Sequence, residues 1–212
     1  MNSSTAGAEP FIYVMDDDSM IRESVGSLLR SIGLRVGLFA SVDDFMSFPR
    51  PDVPGCMVLD VRLQGASGLD FQGYLAAADI HVPIIFMTGY GDIAMTVRAM
   101  KAGAIDFLTK PFRDQDLIDA VAFAIAKDRQ RRETEQGRQA LRSCYEMLSS
   151  RERTVMALAV SGLMNKQIAG VLGLSEITVK THRGQAMRKM NARTFADLVR
   201  MGQALGLHDD CA

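Results

Sequence analysis

The stretch Cys56-Met57-Val58-Leu59-Asp60 decides the fold, because four apolar residues in a row end in a carboxylate. The same arrangement recurs on either side of it. Upstream, Phe11-Ile12-Tyr13-Val14-Met15 closes on Asp16-Asp17-Asp18. Downstream, Ile84-Ile85-Phe86-Met87 ends in Thr88-Gly89, and Ile105-Asp106-Phe107-Leu108 ends in Thr109-Lys110-Pro111. Strands buried on both faces of a parallel sheet read as near-continuous hydrophobic runs. Open α/β sheets gather their ligands at the carboxyl ends of such strands. If the four runs are neighbours, Asp16, Asp17, Asp60, Thr88 and Lys110 converge in one crevice.

The segments between the runs read as helices. Ser19 to Ser31 carries Ile21, Val25, Leu28 and Leu29 on one side and stops at Gly33. A short run from Arg35 to Phe39 supplies a further strand, and Ser41 caps a helix through Phe45 that stops at Pro49. Gly65 to Gly68 forms a loop before a helix that starts near Leu69. Asp92 to Ala102 is helical with Gly103 as its stop, and Asp114 to about Lys127 opens with two carboxylates in its first turn. Five βα units over residues 11–126 imply an α/β doubly wound five-stranded parallel sheet. Residues 1–10 form a polar tail, and residues 127–147 are so rich in arginine and glutamate that they read as a mostly helical charged linker.

From Leu148 the periodicity is helical throughout. Ser149 or Ser150 caps a helix to Val160, and Asn165 to Leu172 is a second, closed by Gly173. Ser175 caps a third from Glu176 to about Met190, and Thr194 begins a fourth through Leu205. Four helices with a tight glycine-containing break between the second and third predict an all-α helix-turn-helix domain over residues 148–206, with 207–212 as a tail. In the third helix, Ile177, Val179, Ala186 and Met190 are assigned to the core. Lys180, Thr181, Arg183, Gln185 and Arg188 fall on the other surfaces.

The formal net charge of −1 conceals a division of charge. Residues 148–212 carry nine Lys or Arg and five Asp or Glu, a balance of +4 that leaves −5 on the preceding 147 residues. An acidic half suits cations, and a basic half suits polyanions. The cysteines, Cys56, Cys144 and Cys211, are odd in number and scattered. That pattern favours a reduced, cytoplasmic chain over a disulfide framework. The first ten residues are unlike a signal peptide, and no apolar run approaches the ~20 residues of a membrane helix, so no membrane partner is expected.

Carboxylates at adjacent strand ends repel one another unless a cation lies between them. An all-oxygen set of this kind suits Mg²⁺, which keeps several waters and bridges to phosphate. An aspartate beside such a metal is a plausible nucleophile for phosphoryl transfer, with Lys110 and the Thr88 hydroxyl placed for the phosphoryl oxygens. Taken in order, Val-Met-Asp-Asp-Asp, Val-Leu-Asp-Val-Arg-Leu-Gln-Gly-Ala-Ser-Gly, Phe-Met-Thr-Gly and Ala-Ile-Asp-Phe-Leu-Thr-Lys-Pro-Phe resemble the receiver domain of two-component response regulators, a CheY-like fold. The resemblance implies that Asp60 is the phosphoacceptor. It gives Mg²⁺ to Asp16, Asp17, Asp60 and the backbone carbonyl of Arg62. It makes Thr88 and Phe107 a coupled switch pair, and Lys110 the phosphate clamp. Gln64 stands where that family usually has proline, and Tyr90 where close relatives often have histidine. Asp18 is expected to face solvent.

The segment Leu148-Ser149-Ser150-Arg151-Glu152-Arg153-Thr154-Val155, Asn165-Lys166-Gln167-Ile168-Ala169 and Thr178-Val179-Lys180-Thr181-His182-Arg183 resembles the LuxR-type output domain. The whole chain is thus similar to the NarL/FixJ family of transcriptional regulators, on the FixJ side. By that resemblance Lys180, Thr181 and Gly184 face base edges, although glycine supplies no side-chain contact. Thr178, His182, Arg183, Lys166 and Lys189 serve phosphates or support. The implied partners are a sensor histidine kinase, double-stranded promoter DNA, a second copy of the chain on phosphorylation, and RNA polymerase. Two other readings fit parts of the pattern. One is an aspartate-nucleophile phosphatase, although such enzymes generally carry the nucleophile in a DxD on the first strand. The other is a DNA-binding regulator that works without phosphorylation.

Overall fold

The computed structural model describes residues 8–63, 66–89 and 93–207. In chain order the elements are β1 (Phe11–Met15), α1 (Ser19–Ser31), β2 (Arg35–Phe39), α2 (Val42–Ser47), β3 (Gly55–Asp60), β4 (Arg62–Leu63), β5 (Ala66–Ser67), α3 (Gly68–Ala77), β6 (Ile84–Thr88), α4 (Ile93–Lys101), β7 (Asp106–Thr109), α5 (Asp114–Glu146), α6 (Ser150–Val160), α7 (Asn165–Leu172), α8 (Glu176–Lys189) and α9 (Phe195–Ala204). They divide into two compact units, the first running to Arg132 and the second from Glu133. No helix among the described residues is long and apolar enough to cross a membrane. Gln64, Tyr90 and Asp92 lie outside the described residues.

In the first unit five parallel strands form one sheet in the order β2-β1-β3-β6-β7. Successive strand side chains point to opposite faces, so each run divides by parity. Ile12, Val14, Cys56, Val58, Ile85 and Met87 pack on one face with Val25 and Leu29 of α1 and Leu117, Val121 and Ala124 of α5. Tyr13, Met15, Met57, Leu59, Ile84 and Phe86 pack on the other with Phe45, Phe71, Leu75 and Ala99. This burial on both faces explains the continuous apolar runs. A Cβ on Gly55 would stand 2.1 Å from the Phe11 carbonyl oxygen, so the start of β3 requires glycine. The strand order reverses between β1 and β3, and the crevice at their carboxyl ends is the switch point where open sheets bind ligands. The short antiparallel pair of β4 and β5, Arg62 opposite Ser67, lies where the sequence suggests only a loop.

α5 is longer than its sequence signal. The expected end near Lys127 is not a boundary, and the charged stretch continues as helix to Glu146. Asp128, expected at the start of a solvated linker, is 2% exposed. Its carboxylate accepts from the Gly55 N–H at 3.1 Å and from Arg131 and Arg132, while Arg132 also reaches Asp52. The arginines of this stretch therefore close the amino-terminal edge of β3 instead of merely solvating a connector.

The second unit is helical. Leu148, Met156, Val160, Ala186, Met190 and Leu198 form one cluster, joined by Leu141, Cys144 and Tyr145 from the end of α5. Val155, Ala159, Ile168, Ala169 and Val179 form another. Ser149 and Glu152 close a reciprocal capping box at the start of α6, an arrangement that contributes about 1 kcal/mol. Gly173 ends α7 in the left-handed conformation, φ +62°. Ser175 then caps α8 by accepting from the Thr178 N–H.

Candidate functional site

The acidic crevice of the first unit is built on strand ends. Asp16 follows β1 and is 1% exposed, Asp60 ends β3 and is 7% exposed, and Lys110 follows β7. The Lys110 Nζ donates to Asp16 Oδ2 at 2.6 Å and to Asp60 Oδ1 at 2.7 Å, so one ammonium joins the two carboxylates. The remaining oxygens are engaged by backbone: the Asp18 N–H donates to Asp16 Oδ1 at 2.9 Å and the Arg62 N–H to Asp60 Oδ2 at 2.7 Å. The Lys110 N–H donates to the Thr88 carbonyl at 2.7 Å, which ties the lysine to the end of β6. Thr88 itself is buried.

Burial pushes the Asp16 carboxyl above its ordinary value, against the pull of the Lys110 hydrogen bond. Burial works to lower Lys110, but its bonds to Asp16 and Asp60 prevail and hold the ammonium above its usual value. Asp17, next to Asp16, is half-buried, and two carboxylates, Asp16 and Asp60, share one ammonium. The oxygen-only chemistry fits Mg²⁺, which needs only one or two carboxylates and takes its other ligands from water and phosphate. Among the described residues, no three acidic, histidine or cysteine side chains are gathered tightly enough to hold a metal between them. The fit therefore depends on a mixed set of carboxylate, carbonyl, water and phosphate oxygens.

Phe107 stands apart from this cluster. It is half-buried on β7 in register with Phe86, their ring centroids 6.4 Å apart. Thr88 follows Phe86 by two residues on β6, so Thr88 and Phe107 lie on the same face of neighbouring strands, one pleat apart.

Three contributors to the crevice were missed in the sequence. Asp18 is exposed as expected, but it also caps α1 by accepting from the Met20 and Ile21 N–H groups. An aspartate directly before a helical pattern carries that signal. Arg22 donates to the carbonyl oxygens of Asp16 and Asp17 and so fixes the backbone of the acidic turn. Gly68 packs against Asp60: a Cβ there would stand 2.4 Å from the Asp60 carbonyl oxygen. Neither contact is visible as a residue pattern, because both depend on how the backbone turns after the strand: Arg22 reaches back five and six residues, and Gly68 lies eight beyond Asp60.

In the second unit α8 follows α7 after a three-residue turn, Gly173 to Ser175. Lys180, Thr181 and Gly184 are exposed on α8, and Lys166 is exposed on α7. Other expected DNA contacts are already engaged. The Arg183 guanidinium lies 4.1 Å from the centre of the Phe195 ring and donates to Asn165 Oδ1 at 3.0 Å, joining α8 to α7 and α9. The Lys189 Nζ donates to Glu152 Oε2 at 2.6 Å, and that ammonium holds the Glu152 carboxyl below the ordinary carboxylate range. The Thr178 hydroxyl shares a hydrogen bond with Ser175 at 2.8 Å. The His182 Nδ1 is buried with no partner among the described residues. Ile177, assigned to the core, is 79% exposed. Val179, Ala186 and Met190 are the buried positions, and Ile177 lies two residues before the first of them, roughly 200° around a helix with 3.6 residues per turn.

Residues 12–122 match the family model described as response regulator receiver domain, and residues 146–202 match that of the bacterial regulatory proteins of the luxR family. Nodulation protein W of Bradyrhizobium diazoefficiens is 54% identical over 202 residues, covering 95% of this chain and 89% of that protein. Among solved structures, the response regulator StyR superposes with a TM-score of 0.82 at 45% identity, covering 92% of this chain and 99% of that one. Full-length FixJ from B. japonicum gives a TM-score of 0.55 at 37% identity, covering 93% and 97%.

Proposed function

For a chain that belongs to the NarL/FixJ family of two-component response regulators, a receiver joined to a LuxR-type DNA-binding domain, we propose that Asp60 is the phosphoacceptor and that its phosphorylation pairs two chains on promoter DNA. The observation that carries this reading is the Lys110 ammonium bridging Asp16 and Asp60 at the sheet's switch point. As a transcriptional response regulator, the chain accepts its phosphoryl group from a histidine kinase. An oxygen of Asp60 forms the new O–P bond as the P–N bond to the kinase's imidazole breaks, and the imidazole nitrogen keeps the electron pair. Its only catalysis is its own phosphorylation and dephosphorylation, carried out in the cytoplasm.

Asp16, Asp17, Asp60 and the Arg62 carbonyl would hold Mg²⁺, which when bound neutralises phosphoryl oxygens as charge accumulates. Lys110, already 2.7 Å from Asp60, stays beside the acyl phosphate and donates to one of its oxygens. The Thr88 hydroxyl turns toward another, and Phe107 follows into the space this opens. That shift biases the exposed surface of α4 and β7 toward pairing with a second copy. In the paired state two α8 helices present Lys180 and Thr181 to base edges, with Lys166 on phosphates. Thr178, His182, Arg183 and Lys189 hold the helix in place. Contact with RNA polymerase would follow from the same DNA-bound dimer.

Light-scattering mass with Mg²⁺ and beryllofluoride, an acyl-phosphate mimic, tests the reading. The wild type is expected to grow from monomer to dimer, and Asp60→Asn to remain monomeric. Growth that persists in Asp60→Asn would remove Asp60 from the switch. An absence of growth in the wild type would favour regulation without phosphorylation.

A further inference from the structure

The exposed face of α8 is not uniformly basic. Ile177, Lys180, Thr181, Gly184 and Arg188 are all exposed and recur at spacings of three and four, which places them on one side of the helix. Val179, Ala186 and Met190 hold the opposite side in the core. Toward the start of the helix, beside Lys180, this face turns apolar. Ile177 extends 79% exposed from the first turn. The Thr181 hydroxyl donates to the Ile177 carbonyl at 3.0 Å, so its proton is committed to the helix and what it offers DNA is its methyl and an accepting oxygen. Where a side chain on Gly184 would begin, there is open space.

An isoleucine left in water forgoes roughly 1.5–3 kcal/mol that burial would return. Here it lies on the element that docks against DNA, three residues before Lys180, a cation that attracts phosphate. The residues that reach base edges come from the start of a recognition helix. In the major groove the thymine C5-methyl is the apolar group that a side chain can meet. Residues four apart on a helix have Cβ atoms about 5–6 Å apart, which spans neighbouring base pairs.

We propose that Ile177 and the methyl of Thr181 form a thymine-reading patch, so that direct readout by this helix is directed at thymine methyls on adjacent base pairs. Lys180 lies beside the patch, between Ile177 and Thr181 in sequence, and Arg188 lies farther along the same side of the helix; Gly184 leaves room for the groove to approach closely. Ile177 is thus a specificity-determining residue that hydrophobicity alone assigns to the core. The inference rests on the DNA-binding reading above, and its test separates the two.

The full-length chain, with Mg²⁺ and beryllofluoride present, is first used to select from a random-sequence duplex library. Enrichment of a motif with neighbouring thymines is expected. Each thymine is then replaced by deoxyuridine, which removes only the methyl. A loss of about three- to fivefold in affinity is expected at the positions under Ile177 and Thr181, the scale of one buried methyl group. In Ile177→Ala, an exposed position whose truncation leaves the core intact, the deoxyuridine penalty should vanish at one position and persist at the other. An enriched site indifferent to deoxyuridine would overturn the methyl reading and leave DNA binding standing. A wild-type deoxyuridine pattern in Ile177→Ala, together with an altered light-scattering mass, would make the patch a protein contact and overturn the proposal. No enrichment of any sequence would overturn specific DNA reading and this inference with it.

Discussion

At Asp16 the burial that shapes the acidic crevice also works against the folded state. Its carboxyl is held above the ordinary value, with desolvation the first cause and Lys110 opposing it. A carboxyl raised on folding binds its proton more tightly in the folded than in the unfolded chain. Its contribution therefore favours folding below the ordinary carboxylate range and declines as pH rises through the raised value. At neutral pH the ionised Asp16 is carried at a cost. Asp16→Asn is expected to raise the urea midpoint of the metal-free protein at pH 7, and the gain should disappear in acid, where the wild-type carboxyl is also neutral. Excess Mg²⁺ should reverse the order: at one hundred times its dissociation constant a ligand adds about 2.7 kcal/mol, which the variant would largely forgo. A lower midpoint for metal-free Asp16→Asn would show that the Lys110 pair outweighs desolvation.

Among the elements, α5 and α8 show where sequence periodicity ends and tertiary structure begins. The strands of the sheet were legible because burial on both faces writes a continuous apolar run, and Asp16, Asp60, Thr88 and Lys110 were legible because each run ended in one of them. Helix caps at Ser41 and Ser175 were legible from residue type alone, and both are observed; residue type leaves Ser149 and Ser150 open at the start of α6, where Ser149 is the cap, and it starts the last helix at Thr194, which is the cap of α9. Apolar character alone puts Ile177 in the core, but its angle from the buried Val179 turns it to the exposed side. The stretch beyond Lys127 was read as solvated because its charges are dense, but ion pairing let one of them be buried. Asp128 accepts from the Gly55 N–H and two guanidiniums, contacts 73 residues apart in the case of Gly55, beyond any local signal. Asp128→Ala would leave that N–H without its acceptor and two arginines without their anion. The expected loss in unfolding free energy is about 2–4 kcal/mol, measured by urea denaturation of the full chain. A loss under about 0.5 kcal/mol, the scale of an ordinary surface substitution, would mean that water replaces the network freely.

For the whole molecule, the division of charge sets what phosphorylation has to accomplish. The first 147 residues carry a balance of −5 and the remainder +4, so the part that receives the phosphoryl group has no electrostatic attraction for DNA. Phosphorylation adds further negative charge to that part, so a gain in DNA affinity does not come from its charge; the pairing proposed above supplies one. Two linked binding units make the second contact intramolecular, which raises affinity without any new contact. Pairing by two-fold symmetry also fixes where the second half-site must lie, about one helical turn or 10–10.5 base pairs from the first. On duplexes carrying two copies of a selected half-site at that spacing, beryllofluoride and Mg²⁺ should increase affinity at least tenfold. Inserting five base pairs turns the second half-site to the opposite side of the duplex, and the gain should fall to nearly nothing, while Asp60→Asn should show no gain at either spacing. Equal enhancement at both spacings, measured by fluorescence anisotropy at constant salt, would mean that the two basic units bind independently. Phosphorylation would then act by some route other than pairing.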